Sequence, residues 1–294
     1  MTGILDISRS TRFRLRTGAE RRHERRGGDD TPTTLAGPVK EYAGFIEATG
    51  QYAPGRLKVQ PFARFDRRDF QDRRLIGGGN GDQDDRDRRI ITGGVEVGYN
   101  LPGPFEMTAR AELARTDFDE ARDRGGFDRD NTQLRVLLGA RIDQERLVSG
   151  AISVGYQKRW ADDPALPDFS GPAVEGQLEW RPRRFLTFVA TARRAEEETT
   201  IIGASAASVA YGELKATWEV QRFVDMTAVA AYERRSFRGA DRRDKTLVLG
   251  LGAEWRVRET TTLSAGYRHI NETSNAPGES SRSNLFRLAI EHRF

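Results

Sequence analysis

Residues 247–255 read LVLGLGAEW. Leu247, Leu249, Leu251, Ala253 and Trp255 are apolar, whereas Val248, Gly250, Gly252 and Glu254 between them are mostly small or charged. A strand sends successive side chains to opposite faces, so a two-residue period describes a ribbon with one apolar and one polar face. A helix needs apolar residues at three- and four-residue spacing, which fits this stretch less well. The same period recurs along the chain, in Phe105–Leu113, Thr132–Ile142, Val148–Tyr156, Leu186–Ala192, Ala210–Trp218, Val224–Tyr232, Leu263–Tyr267 and Phe286–Phe294. A soluble antiparallel sandwich also alternates. It does not ordinarily set Arg and Glu on the opposite face of nearly every strand.

The connections alternate as well. Short links fall at Ala53–Gly55, Leu101–Pro104, Gln144–Glu145, Pro182–Arg183, Gln221–Arg222 and Arg258–Glu259. Long polar links fall at Gly27–Pro38, Gln71–Arg86, Glu120–Asp130, Ala161–Ser170, Glu196–Ala204, Gly239–Asp244 and Asn271–Ser283. Tight turns at one end and long loops at the other are the pattern of an outer-membrane barrel. The links delimit about 14 antiparallel strands, an even count that brings both ends to the short-turn side. The expected fold is therefore all-β: a transmembrane, antiparallel, up-and-down β-barrel.

Composition agrees once the mode of spanning is considered. The chain has 31% charged residues and a mean hydropathy of -0.67. It contains no run of about 18 apolar residues that could form a transmembrane helix. Strands apolar on one face only can span a bilayer when closed into a barrel. With no cysteine in the sequence, disulfides and thiolate metal sites are excluded. Of 48 basic residues, only Lys40, Lys58, Lys158, Lys215 and Lys245 are lysine. A net charge of +4 is small beside those groups and does not indicate nucleic-acid binding.

The N-terminus departs from the pattern. Met1–Ser10 (MTGILDISRS) lacks the basic and apolar regions of a secretory signal. The expectation is a mature or truncated chain, or a mis-assigned start. Residues 1–10 are set aside as an N-terminal segment and 11–294 are assigned to the barrel. A missing strand pair would raise the count to roughly 16.

Amphipathic rings favour the headgroup zone. Tyr99, Trp180, Trp218 and Trp255 fall at the short-turn end and Trp160 at the loop end, so they are candidates for two girdles. The final segment Asn284–Phe294 reads NLFRLAIEHRF. Phe286, Leu288, Ile290 and Phe294 alternate back from the terminus, resembling the signal by which barrel-assembly machinery recognises its clients. Replacing Phe294 is expected to reduce assembly.

The opposite parity supplies the pore-lining candidates Arg14, Arg16, Arg64, Arg110, Arg135, Arg141, Arg193, Arg256 and Arg268, with Glu47, Glu96, Glu112, Glu213 and Glu254. They could tile a watered channel or form salt-bridge ladders that brace or block it. Buried pairs require satisfied hydrogen bonds.

No catalytic or cofactor constellation emerges. His23, His269 and His292 are the only histidines, and they do not converge on a nucleophile. Gly77–Gly81 (GGGNG) lacks the following Lys-Ser/Thr of a phosphate loop. Asp82, Asp84, Asp85 and Asp87 are spaced irregularly for Ca²⁺, with Arg86 intervening. No enzyme activity, cofactor or metal is expected.

Phe169–Trp180 (FSGPAVEGQLEW), the following RPRRFLTFVATARRAEEETTIIGAS, YERRSFRGADRRD at 232–244 and SAGYRHINETSN at 264–275 resemble a known family. It is the β-barrel porin type 2 family, whose members are also called outer membrane β-barrel proteins, and the resemblance covers roughly residues 10–294. It implies a Gram-negative outer-membrane barrel facing lipid bilayer and lipopolysaccharide. Because some members occur beside exopolysaccharide genes, it also implies polysaccharide as a cargo. The charged inner face itself leads to the expectation of a passive porin or export channel for polar solutes. The rival expectation is a non-conducting structural or adhesion scaffold that displays its loops.

Overall fold

The computed structural model describes all residues except 24–36, 143–146, 200, 202 and 294. The strands, in chain order, are β1 (Thr2–Asp6), β2 (Thr11–His23), β3 (Lys40–Tyr52), β4 (Leu57–Phe70), β5 (Arg73–Arg74), β6 (Asn80–Gly81), β7 (Arg88–Asn100), β8 (Phe105–Phe118) and β9 (Asn131–Ile142). They continue as β10 (Val148–Ala161), β11 (Phe169–Arg183), β12 (Leu186–Glu197), β13 (Ala206–Gln221), β14 (Val224–Arg238), β15 (Arg243–Arg258), β16 (Thr261–Ser274) and β17 (Ser281–His292). All but β5 and β6 form one 15-stranded sheet in which each strand neighbours the next in sequence. β5 and β6 make a small separate hairpin within the 71–87 connection.

This is the up-and-down antiparallel topology expected from the alternation. Fourteen long strands lie between Thr11 and His292. The difference is at the N-terminus. The segment set aside as lying before the barrel supplies a fifteenth, five-residue strand, β1, paired with β2. Its Thr2–Asp6 stretch carries no long two-residue period, which is why periodicity passed over it. The sheet begins with β1 and ends with β17, and no pairing joins the two among the described residues.

The links also follow the short-long rule. Residues 53–56, 101–104, 184–185, 222–223 and 259–260 close one end, and 71–87, 119–130, 162–168, 198–205, 239–242 and 275–280 project from the other. Gly55 and Gly103 stand at φ of 66° and 91° in two of the short turns, a region that side chains disfavour. The expected turn Gln144–Glu145 and most of the Gly27–Pro38 loop lie outside the described residues.

The register fixes the facing of each strand. Leu249 pairs with Ala230 and His269, and Leu251 with Ala228 and Tyr267. The outward row is widely exposed; Leu251 is 64% accessible. For a water-soluble sheet that would be a large apolar liability. For a sheet in lipid it is the contact surface. Tyr99, Trp180, Trp218 and Trp255 are each about half exposed and occupy the short-turn end of their strands. Trp180 stacks on Phe188 with ring centroids 5.3 Å apart. Trp160 lies at the loop end of β10, with the Lys158 ammonium 4.9 Å from its ring.

Placing arginine at Leu251 should lower stability in lipid vesicles by about 2–4 kcal/mol, the penalty near a bilayer midplane. Arginine at Thr246, on the opposite face, should cost much less. Denaturant unfolding of both variants tests the facing, and equal losses would contradict it.

Candidate functional site

The face opposite the apolar row is built from backbone register. Glu47 on β3 lies opposite Arg16 on β2 and Arg64 on β4. Glu96 on β7 is opposite Arg110 on β8, and Glu112 on β8 is opposite Arg135 on β9. All fourteen charged candidates named from sequence share this face, because residues directly opposite in the ladder, and those two apart along a strand, point to the same side.

Most are tied into a ladder along the wall. Glu47 accepts from Arg16 at 3.3 Å and from Arg64 at 3.2 Å, and Arg64 also grips Asp66 at 2.6 Å. Arg110 pairs with Glu112 at 2.6 Å, and Arg135 joins Glu112 and Glu175 at 2.9 Å each. Arg141 spans Glu96 at 3.1 Å and Glu106 at 2.9 Å, while Lys58 holds the other side of Glu106. Each pair lies within one strand or joins strands no more than two apart in the sheet, so these contacts brace the wall. Arg193 pairs along its own strand with Glu197 at 2.7 Å, and Arg256 with Asp225 at 3.3 Å. Glu213 accepts from the Tyr211 hydroxyl at 2.6 Å. Arg14, Arg268 and Glu254 face the same way and have no ion-pair partner among the described residues.

The ladder borders a cavity of about 1180 Å³ on the concave face, reaching from β7 to β12. Glu96, Arg110, Arg141, Glu175, Gln177 and Arg193 line it with several hydroxyl side chains, and among the described residues no aromatic ring does.

Above the strands, four long connections knit into a cap. The Arg129 guanidinium, 3% exposed, pairs with Asp123. It also donates to the carbonyls of Thr199 and Ala204 at 2.6 Å and of Ile201 at 3.1 Å. The 119–130 connection is thereby pinned to 198–205. Arg115 reaches Asp162 at 2.7 Å, Arg67 clasps Asp119, and Arg124 meets Asp85 at 2.8 Å. Under the pinned segment, Ala204, Ala207, Val209 and Phe237 form a small apolar cushion with Ile201 and Ala240. The Arg238 guanidinium lies 4.7 Å from the Phe169 ring, joining β14 to β11 across two intervening strands. Sequence reading did not find this cap. Its contacts join segments some 70 residues apart (Arg129 to Thr199) and leave no periodic trace.

Several acids of the cap are perturbed. Hydrogen bonding to Arg67 and to Arg115 holds the Asp119 and Asp162 carboxyls below the usual carboxylate range. Burial pushes the Asp87 carboxyl up to about 6, against the opposing bond from the Phe70 N–H. Burial and then the neighbouring Asp82 and Asp72 raise Asp84. Asp72, Asp82 and Asp84 bring carboxylates within 4.8 Å of one another at the surface. Asp72 is already engaged by Asn80 and the Gln83 N–H. Of the acids considered for Ca²⁺ from sequence, Asp85 is taken by Arg124 and Asp87 by Phe70.

With this geometry in place, comparison with known proteins is decisive on family. The sequence profile described as "Putative beta-barrel porin 2" matches residues 1–294. The chain belongs to this family. Membership implies a β-barrel of the bacterial outer membrane. No curated protein matches the sequence. Among solved structures, the chain is similar to the FrpB iron transporter of Neisseria meningitidis (F5-1 variant), with a TM-score of 0.60 and 12% identity over 97% of this chain and 56% of that one. It is also similar to the siderophore receptor PirA of Acinetobacter baumannii (TM-score 0.52, 8% identity, 98% of this chain and 63% of that one). A third likeness is to the alcaligin outer membrane receptor FauA of Bordetella pertussis (TM-score 0.51, 11% identity, 100% of this chain and 56% of that one). The chain thus spans little more than half the length of these barrels, and the likeness is one of fold.

Two outcomes are expected of the cap. Replacing Arg129 with methionine removes its charge-assisted bonds, worth roughly 1.5–3 kcal/mol each, and strands a buried Asp123. Protease cleavage within 198–205 should rise by about tenfold or more while the strands stay protected; unchanged cleavage would contradict the pin. The second concerns pH. The Asp87 carboxyl titrates at about 6 when folded and near 3.9 when unfolded. The folded connection therefore binds more protons between those values, and its stability rises as pH falls. Hydrogen exchange across 71–87, corrected for intrinsic rates, should be slower at pH 5 than at pH 7. The reverse order would overturn this assignment.

Proposed function

We propose that this protein is a passive outer-membrane channel for polar solutes, with extended polysaccharide strands as the cargo class and no catalytic step. The observation that carries the reading is the wall of the concave cavity, where guanidinium, carboxylate, hydroxyl and amide groups alternate. Such a surface exchanges hydrogen bonds with a hydrated, hydroxyl-rich solute without gripping it. Pairing along the wall holds the long arginine side chains to the sheet, leaving the middle of the lumen to water. Because positive and negative groups are interleaved, the channel should discriminate weakly by charge. The polysaccharide element follows from the family resemblance rather than from the cavity. Bilayer and lipopolysaccharide around the apolar face, and the barrel-assembly machinery acting on the Phe286–Phe294 pattern, are the partners this reading requires.

A second reading is favoured by the cap. Loops tied down by Arg129, Arg115 and Arg67 make a rigid external surface, which suits a non-conducting scaffold or adhesion barrel.

Single-channel recording of the refolded protein in a planar bilayer separates the two. The channel reading predicts discrete conductance steps and a reversal potential near zero in a salt gradient. Folded protein that gives no steps would reject it in favour of the scaffold.

A further inference from the structure

Cations on the lipid-facing parity are not all matched. Near the loop ends of β4, β8 and β10 they are engaged. Arg67 clasps Asp119, Arg115 is held by Asp162 at 2.7 Å and Asp117 at 2.8 Å, and Lys158 lies over Trp160. Arg194 on β12, Arg234 on β14 and Lys245 on β15 have no ion-pair partner among the described residues. These three share one register row. Arg194 stands opposite Ala210, Ala210 opposite Arg234, and Arg234 opposite Lys245. Arg234 and Lys245 are exposed and Arg194 is half-buried. The strand carboxylates that could neutralise them, Glu213, Asp225, Glu233, Asp244 and Glu254, lie on the inner parity. Glu196 shares the outward parity two residues beyond Arg194, and it is buried.

The row sits at headgroup height. From Trp255 in the turn-side ring, Lys245 is ten residues along β15, about 33 Å of strand. At the usual tilt that is about 25 Å of height, the full apolar band. Four residues below the row, the outward surface dips into a trough of about 530 Å³. Ala230 lies between Leu214 and Leu249, and Ala228 between Ala216 and Leu251, so short side chains make the floor and leucines the walls. Tyr267 and His269 complete one side. The Tyr267 hydroxyl and His269 Nδ1 lie 2.9 and 2.8 Å from the Asn284 Oδ1, so both rings spend a polar atom on the protein. What fills the trough is hydrocarbon.

We propose that this trough and the cations above it form a binding site for one lipopolysaccharide molecule, with an acyl chain of its lipid A seated against Ala228 and Ala230 and its phosphates held by Arg194, Arg234 and Lys245. Guanidinium groups bind phosphate oxygens through paired N–H donors, and long basic side chains at an interface reach into the headgroups. The chemistry selects this occupant. Arg194 and Lys245 are three strand spacings apart, roughly 14 Å, which suits a headgroup with more than one phosphate better than a single phosphodiester. A second copy of the chain using the same patch would set cations against cations. The site lies within the sheet, between β12 and β16. It deepens the lipopolysaccharide contact proposed above and is independent of whether the lumen conducts.

Native mass spectrometry of the full chain, refolded in detergent and titrated with lipid A, tests the site. Retention of one lipid A per chain is expected, and none would overturn the proposal. With the unaltered protein, removing both phosphates from lipid A should lower retention by about tenfold or more, since each basic side chain at an anionic headgroup adds to binding. Equal retention of the dephosphorylated lipid would overturn the proposal. The combined Arg194→Gln, Arg234→Gln and Lys245→Gln variant should show the same loss, whereas Lys215→Gln on the inner face should leave retention unchanged. Ala230→Trp, which fills the trough and keeps the cations, should also weaken retention. Parent-like retention by the triple variant, phosphatidylglycerol held as firmly as lipid A, or a protein dimer in place of the lipid would each overturn the assignment. The Leu251→Arg measurement stays separate: equal losses there would remove the lipid face itself, and phosphate-independent binding here would remove this site alone.

Discussion

A bilayer interior offers the backbone no water, so every peptide N–H and C=O must find its partner in the protein. Everything else in this molecule depends on that constraint. A meandering sheet meets it strand by strand, each ladder satisfying the next. One face is then free to be apolar and the other free to carry charge. The constraint also explains how a chain with 31% charged residues can belong in a membrane. Through the middle of the strands the charges keep to one parity and the lipid meets the other; charges on the apolar parity, such as Arg67, Arg115, Lys158 and Lys245, lie toward the loop-side ends.

The inner face shows what those charges do once they are there. Isolated, a guanidinium on a four-bond tether would sweep into the lumen. Here Arg135 is shared between Glu112 and Glu175, and Arg141 between Glu96 and Glu106. Such pairs add little net stability when desolvation is counted. Their effect is geometric: they lay the side chains along the wall and fix the shape of the cavity. The cap works on the same chemistry with a different result. Arg129 binds three carbonyls of a distant connection and turns separate loops into one surface.

Much of this was legible in the sequence because a strand's facing is a local property. The run from Leu247 to Trp255 is enough to assign its two faces, and parity alone puts Leu249 on the same side as Ala230 and Glu254 on the same side as Asp225. The placement of the Trp and Tyr rings at strand ends and the alternation of short and long links were equally local. Three features were not. β1 is five residues long and too short to show a period. The β5–β6 hairpin lies inside what reads as a polar loop. The Arg129 pin joins residues far apart in the chain, and an arginine in an acidic loop looks the same whether it is solvated or buried. Pairing partners within the ladder were only half visible, since parity places Arg135 and Glu175 on one face and leaves open which side chains touch.

The central claim is that residues 247–255 alternate between lipid and an aqueous interior. Nitroxide spin labels attached to single cysteines placed one at a time across this stretch, in vesicles, test it most directly. The account predicts oxygen accessibility peaking at odd positions and accessibility to a water-soluble nickel reagent peaking at even ones, with a period of two. Accessibility that varies smoothly along the segment, or that favours the aqueous reagent at Leu249 and Leu251, would contradict it.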